Sequence, residues 1–589
     1  MLLNINYCCV YLIYTCVYSC FLCLLTVTNF FFSYSPLLFD RTVNYTHVKF
    51  DYIVVGGGTG GSVLIHELLQ HNALNQTILL LEAGPRSYSL LDIPMLAPLL
   101  QRTRYDWQFE TERQTHACWG LDNQASKWPR GKILGGSSRL NYMVYLRGHQ
   151  NDFDSSWPAS WKFTDFEQYS SISYAIMKPF SLLSTYLLPE EPIDLNQGNH
   201  TGFMNTPLTV TKGLRSCCDH YIDRSNNLLT VLTDAMVTKV LFEGTTAVGV
   251  EYEVNTVKYR VSGNTVILSA GAVMSPQLLL LSGIGPREDL EHLKIPVIVD
   301  SRHVGHNLQD HIGVGVDNIL INTTLISSYD VINPKHFWDF HVKKEGLWTF
   351  SGVEVVALLK TDEALPVPDI QLMILPAGIN IDAGTGFRHT MGFSEEVWDS
   401  YFQLPSEGST ITMLIVLLHP RSRGVVRLRN SSPYSKPKID PRYLSDPRDV
   451  DTLVKGIRLV QSLLESNPGL RAMNATLRVT PLPGCESHTL GSHSYWECYV
   501  RTLTLTSYHP VGTCAMGSVV DSTLKVKGVH NLYIGDASVI PSLPSANTQA
   551  LTILVAQKLA RHLQYLAYVR HKSCPRQFIW TAQCCLLEI

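Results

Sequence analysis

Apolar and polar positions alternate along this chain in blocks that predict its main elements. Tyr52–Val55 is an unbroken apolar, β-branched run, the pattern of a strand buried on both faces. Glycines follow at once, and Ser62–Gln70 then carries the spacing of a helix. Thr77–Leu81 is a second apolar strand, and it ends in Glu82. Further on, "TVILSAGAVMSPQLLLLSGIG" reads as a buried strand, a glycine turn and an apolar helix. "GVVRLRN" alternates with period two and predicts antiparallel sheet. "DVDTLVKGIRLVQSLLES" predicts an amphipathic helix.

The opening stretch breaks this pattern. "MLLNINYCCVYLIYTCVYSCFLCLLTVTNFFF" contains no Lys, Arg, Asp or Glu. Its apolar length suits an export signal or a membrane anchor, and the missing basic start leaves both open. We assign residues 1–45 to this leader, with folded chain beginning near Leu38–Tyr45.

Composition narrows the class. The chain has 589 residues, of which 45% are hydrophobic and 16% charged, with a formal charge of −3. That is a globular balance, large enough for more than one domain. No basic stripe is present, so nucleic acid is not an expected partner. Six N-x-S/T sequons, at Asn44, Asn75, Asn199, Asn322, Asn430 and Asn474, permit glycosylation if the chain is secreted. Of 14 cysteines, Cys485 and Cys498 flank a short loop and are a disulfide candidate in an oxidising compartment. No C-x-x-C or His cluster has metal-ligand spacing, so no metal is expected.

The first strand leads into G-x-G-x-x-G at Gly56, Gly58 and Gly61, within "GGGTGG". Glycines there make the tight turn and let backbone, including that of Thr59 and Gly60, approach a pyrophosphate at the helix start. Glu82 falls about twenty residues later, where a carboxylate grips a ribose hydroxyl. Strand, motif, helix, strand and acid together predict an adenine dinucleotide site; a merely glycine-rich turn is the blander reading. A glutamate argues against a 2′-phosphate, hence against NADP, and the motif does not separate NAD from FAD. Gly135–Ser138, in "GGSS", offers consecutive amides for a ring or phosphate, or an ordinary strand-to-helix turn.

Three stretches then carry a resemblance. They are "GKILGGSSRLNYMVYLRGHQNDFD" (Gly131–Asp154), "GAVMSPQLLLLSGIG" (Gly271–Gly285) and "SYHPVGTCAMG" (Ser507–Gly517). With "VGHNLQDH" and "SRGVVRLRNSSPYSKPKIDPRYLSDPRDV", they make the chain resemble the glucose–methanol–choline (GMC) family of FAD-dependent oxidoreductases, from about Lys49 to Leu563. The style is closest to the insect glucose dehydrogenase-like branch.

The resemblance implies FAD as cofactor and oxidation of a CH–OH group on a small-molecule alcohol or sugar. A quinone or other acceptor would take the electrons. His509, on a stretch where Pro510 and Gly512 forbid regular helix or strand, matches the family's catalytic histidine. Alone it would read as a surface turn. Asn547 matches a second catalytic position, and on its own would read as a helix cap. Asn141 and Val144 belong to the first signature, Val237 to the adenine contact, and Asp536 and Ala537 to the flavin contact. Cys514 and His306 read as packing, and His311 of "NLQDH" as structural, tied to neighbouring backbone.

The implied fold is α/β, a Rossmann-like FAD-binding domain interleaved with an α+β substrate domain on an antiparallel sheet. The FAD domain takes 49–151, 209–318 and 519–566; the substrate domain takes 152–208 and 319–518; 567–589 is an atypical tail. Between about 170 and 196 the chain is some forty residues shorter than the family, in a lid region. Glu67, Arg302-His303 and Leu551 also depart from the pattern. Two further readings stand beside a secreted or membrane-anchored dehydrogenase: an oxidase or lyase of the same family, and a catalytically impaired paralogue acting as a binding protein.

Overall fold

The computed structural model describes residues 44–573, apart from 154–155, 167–182, 189–192, 217, 316–318, 324, 328, 331–332, 383, 385, 404–408 and 479. The leader, the end of the tail and most of the shortened stretch lie outside the described residues.

Lys49–Val55 is the strand that the apolar run predicts, and Ile53 and Val54 are fully buried. It pairs in parallel with Ile78–Leu81 on one side and Val257–Leu268 on the other. Leu229–Leu232 adds outside Ile78–Leu81, and Leu532–Ile534 outside Val257–Leu268, both in parallel. Numbered along the chain, these strands lie in the order 3-2-1-4-5, that of a doubly wound nucleotide-binding sheet. Two antiparallel strands complete seven: Thr246–Val254 pairs with the first half of Val257–Leu268, and Met236–Glu243 pairs with Thr246–Val254. The order reverses between Val55 and Leu268, which opens a crevice at those two strand ends.

The helix after the first strand runs Thr59–Gln70, three residues earlier than the apolar spacing predicts. Its first turn is glycine, which has no side chain to report a period. Val63, Leu64, Ile65 and Leu68 are buried, and the helix packs against the long helix Gln549–Ser573. Each such side chain contributes about 1.5–3 kcal/mol by leaving water. Glu67, a departure from the family pattern, is buried on this face and accepts a hydrogen bond from Gln557 Nε2 at 2.9 Å.

A second sheet of eight strands is antiparallel throughout. Its spine is Thr476–Leu477, Ile319–Ile321, Ser409–Leu417, Ile370–Leu375, Val355–Leu359 and Gly202–Asn205, in that order. Ile312–Val314 pairs with Ser409–Leu417, and Leu505–Thr506 pairs with Ile312–Val314. Ile312–Val314 therefore joins this sheet, although the sequence groups it with the first domain. Its three residues are apolar and flanked by signature residues, so period alone does not say which sheet takes them.

The amphipathic helix runs Pro447–Ser466, capped by the Asp446 carboxylate, and lays Val450, Leu453, Val454, Ile457 and Val460 on this sheet. Gly456 allows the contact, since a Cβ there would stand 2.6 Å from Ile415 Cγ2. Cys485 and Cys498 form a disulfide, as their spacing suggests.

Candidate active site

A cavity of about 1110 Å³ opens where the strand order reverses. Gly56, Gly58, Thr59, Gly60, Glu82, Ser138, Asn141, Val144, Val237, Asp536, Ala537, His509 and Asn547 all lie in its wall. Gly61 and Gly135, predicted to bind cofactor, are not among its lining residues. A Cβ on Gly61 would stand 2.0 Å from Gly56 O, so its bareness seats the helix on the strand end. Gly135 lies against Asp219 and Arg139, where Arg139 Nε and Nη2 reach the Asp219 carboxylate at 3.0 and 2.7 Å. Both residues shape the cradle from behind.

Two glycines require their backbone freedom. Gly56 turns the chain out of the first strand with φ +98°, beside Ser269 O. Gly136 has φ +55°, and a Cβ on it would lie 2.6 Å from Gly58 Cα. The two glycine loops thus meet backbone to backbone, leaving the space before them free of side chains.

Glu82 closes one end of this space. Its carboxylate accepts from Gly57 N and Gly84 N, each at 2.8 Å. Burial pushes its pKa up to about 7, against the pull of those two amides. Asp536, after the strand Leu532–Ile534, accepts from Gly271 N at 2.9 Å, Ser538 N at 2.8 Å and Ser275 Oγ at 2.5 Å. It thereby fixes the start of the helix Gly271–Leu281, and burial raises its pKa. A helix start with free amides, a buried carboxylate at the second strand end and two bare glycine loops fit an adenine dinucleotide.

His509 stands at the other end of the wall. It follows the edge strand Leu505–Thr506, on a loop pinned at both ends to one neighbouring segment. Ser507 N donates to His311 O at 2.8 Å, and Val511 exchanges backbone bonds with Gln309 at 2.9 and 3.1 Å. Between those pins Tyr508 takes φ 64°, a conformation costly for a bulky side chain. Three interactions hold it there. Tyr508 N donates to Thr506 Oγ1 at 2.8 Å, Arg130 Nη2 donates to Tyr508 O at 2.7 Å, and His509 N donates to Asp310 Oδ1 at 2.8 Å. Asp310 also accepts from Tyr443 and Thr506, and burial pushes its pKa up to about 6. The proline–glycine stretch is thus a held excursion between two sheets, since Gly512 and Cys514 go on to bond Ala537 and Ser538.

The ring of His509 lies in a one-way chain of hydrogen bonds. His311 Nε2 is 2.9 Å from Leu418 O, and a carbonyl only accepts, so Nε2 carries the hydrogen. Burial, with His509 next, holds His311 well below its ordinary pKa, so it is neutral and its Nδ1 is bare. His509 Nδ1, 3.0 Å away, must therefore be the donor. Burial and then the Arg130 charge push His509 down to about 3, so it too is neutral and its Nε2 is bare. Asn547 Nδ2 reaches that nitrogen at 3.1 Å, and Asn547 Oδ1 accepts from Gln371 Nε2 at 3.2 Å. The unprotonated nitrogen of His509 faces Asn547 at the cavity wall.

His509 and Asn547, both named from the sequence, meet in the cavity wall, and the residues that hold them there were not named. Arg130 sits one residue before the first signature and carries no period. Gln371 is one polar residue in an apolar strand, which was a usable signal. His311 is tied to backbone, as expected, and also to His509. His306 is half-buried and outside the cavity wall, and Cys514 is fully buried.

Comparison with known proteins gives the family. Family models described as GMC oxidoreductase match residues 50–189 and 188–313 at the N-terminal side and 420–556 at the C-terminal side. The chain is 31% identical over 562 residues to "Glucose dehydrogenase [FAD, quinone]" of Drosophila pseudoobscura pseudoobscura, covering 87% of this chain and 86% of that protein. It is 32% identical over 557 residues to "Alcohol dehydrogenase [acceptor]" of Pseudomonas putida, covering 87% and 95%. A solved variant of Aspergillus oryzae formate oxidase shares the fold with a TM-score of 0.76, at 24% identity over 90% of this chain and all of that one. The dinucleotide for which the cradle is built is FAD, and this chain belongs to the GMC oxidoreductase family.

Proposed function

We propose that this protein oxidises the CH–OH group of an alcohol, with His509 Nε2 as the proton acceptor. Gly56, Gly58, Thr59, Gly60, Glu82, Ser138, Asn141, Val144, Val237, Asp536 and Ala537 would hold the FAD. Bound FAD would supply the two-electron acceptor for the hydride of the carbinol carbon, with a quinone or another acceptor as the final electron sink. A hydroxyl entering between His509 and Asn547 exchanges their mutual bond for two. It donates to His509 Nε2 and accepts from Asn547 Nδ2, so the amide steadies the oxygen as its proton leaves. Gln371 holds the amide in the orientation that donates, and His311 holds the imidazole in the tautomer that accepts.

The observation that carries this reading is the direction of the hydrogen-bond chain from Gln371 to the Leu418 carbonyl. The test is purified holoenzyme mixed anaerobically with alcohols. Bleaching of the flavin band, with turnover on a dye acceptor, is the expected result; a yellow protein that no alcohol or sugar bleaches overturns it. A second reading, a flavin-binding protein without turnover, draws on the shortened stretch 170–196, where the N-terminal family match breaks at residues 188–189.

A secretory route is part of the proposal. It draws on the charge-free opening stretch of the leader, the Cys485–Cys498 disulfide, and the exposure of all six sequon asparagines. Among the described residues no helix is long and apolar enough to cross a membrane.

A further inference from the structure

The strand Ile370–Leu375 carries the link between the reacting groups and the rest of the cavity. Side chains two apart share a face of a strand, so Gln371, Met373 and Leu375 point the same way. Gln371 reaches Asn547. Met373 and Leu375 therefore extend that face away from the reacting pair, and both line the cavity. Their cross-strand partners are Leu414 and Thr412, which line it too. The floor beside His509 is thus three apolar side chains and one threonine. Phe350 and Phe387 add aromatic walls, and Leu99 stands at the mouth, 63% exposed yet in the lining, with a methyl near Gly386.

Most of the polar groups named in this half of the cavity are turned to the protein, and among the described residues Gln101 Oε1 and Ser507 Oγ are the buried lining atoms left for a single hydroxyl. The Asp382 carboxylate accepts from the amides of Gly384, Gly386 and Phe387. Thr390 Oγ1 donates to Phe387 O, Gln101 Nε2 to Tyr142 OH, and Arg130 to the carbonyls of Pro129 and Tyr508. A sugar brings a hydroxyl on nearly every carbon, and each one buried here without a partner weakens binding. The Asp382 carboxylate, engaged by three backbone amides, is not free to turn toward the charge of a quaternary ammonium such as choline.

Resting on the proposed function, we infer that the substrate is an alcohol whose carbinol carries a sizeable apolar body. The probe is the straight-chain primary alcohols from ethanol to dodecanol, set against glucose and choline on the intact holoenzyme. Two readouts are taken: the perturbation of the flavin absorption band, which reports binding, and anaerobic bleaching, which reports reaction. Burial of each added methylene tightens binding by up to about fourfold until the cavity is filled. Leu99→Asp, at an exposed position where folding is not at stake, should reduce the preference for octanol over propanol by about tenfold.

Chain-length-dependent binding with bleaching supports both the inference and the proposed function. Chain-length-dependent binding without bleaching supports the apolar class and overturns the proposed function alone. Glucose or choline binding more tightly than every alcohol of six or more carbons, or affinity independent of chain length, overturns the inference and leaves the proposed function standing.

Discussion

His311 and His509 face each other Nδ1 to Nδ1 at 3.0 Å, with ring planes at 90°. Two imidazoles so close cannot both be charged, and only one of the facing nitrogens can carry the hydrogen. The Leu418 carbonyl decides which. Under the proposed function His311 is thus a positioning residue for His509. His311→Ala should slow flavin reduction by about ten- to a hundredfold, less than loss of the base itself. His311→Gln, which keeps an acceptor toward His509, should recover part of that rate. Equal rates in His311→Ala and wild type, or no difference between Ala and Gln, would count against this role.

Acid should act on His509 through folding before it acts on the proton acceptor. Its folded pKa is about 3, against an ordinary value of 6.5. Between those values the unfolded chain takes up a proton that the folded chain refuses. Stability is therefore complete above 6.5 and falls as pH drops toward 3. Melting temperatures should fall more steeply from pH 6.5 to 4.5 in wild type than in His509→Asn, and flavin reduction should stay flat between pH 6 and 8. Parallel melting curves would sink the assignment.

Glu82 makes the opposite kind of switch, through the cofactor. Burial holds its pKa at about 7 before any ligand arrives. Ribose hydroxyls donate to a carboxylate, so FAD favours the ionised form and binding releases a proton below that pH. The affinity of apoprotein for FAD should rise with pH up to about 7 and then level off. Glu82→Gln should bind FAD more weakly, with no such slope. A slope retained in the glutamine variant would show that another group is titrating.

The six exposed sequons lead to a simple assay. Material made in a secretory host should lose apparent mass on treatment with a glycosidase specific for N-linked chains. An unchanged band from secreted protein would remove glycosylation from the account.

The parts of the fold written in local pattern were legible in the sequence. The apolar runs name the strands near Tyr52 and Thr77 to within a few residues, because a strand buried on both faces needs no partner to be recognised. Glycine motifs place the turn and the helix after it. The helix at Pro447 starts two residues before its apolar stripe suggests, because the Asp446 cap rather than the stripe sets its end.

What was not legible depends on contacts between distant segments. Ile312–Val314 changes sheets through pairing with residues about a hundred and about two hundred positions away. The tautomer of His509 depends on a carbonyl at Leu418, which no residue type encodes. The apolar floor of the cavity appears only when Met373 is set opposite Leu414, and register is a property of the assembled sheet.

The most direct test of the central claim is the rate constant for anaerobic reduction of bound FAD by an alcohol, measured in stopped flow for wild type and His509→Ala. The expected result is a loss of at least about a hundredfold, with one FAD still bound per chain. Reduction at close to the wild-type rate in a fully loaded His509→Ala protein would contradict it.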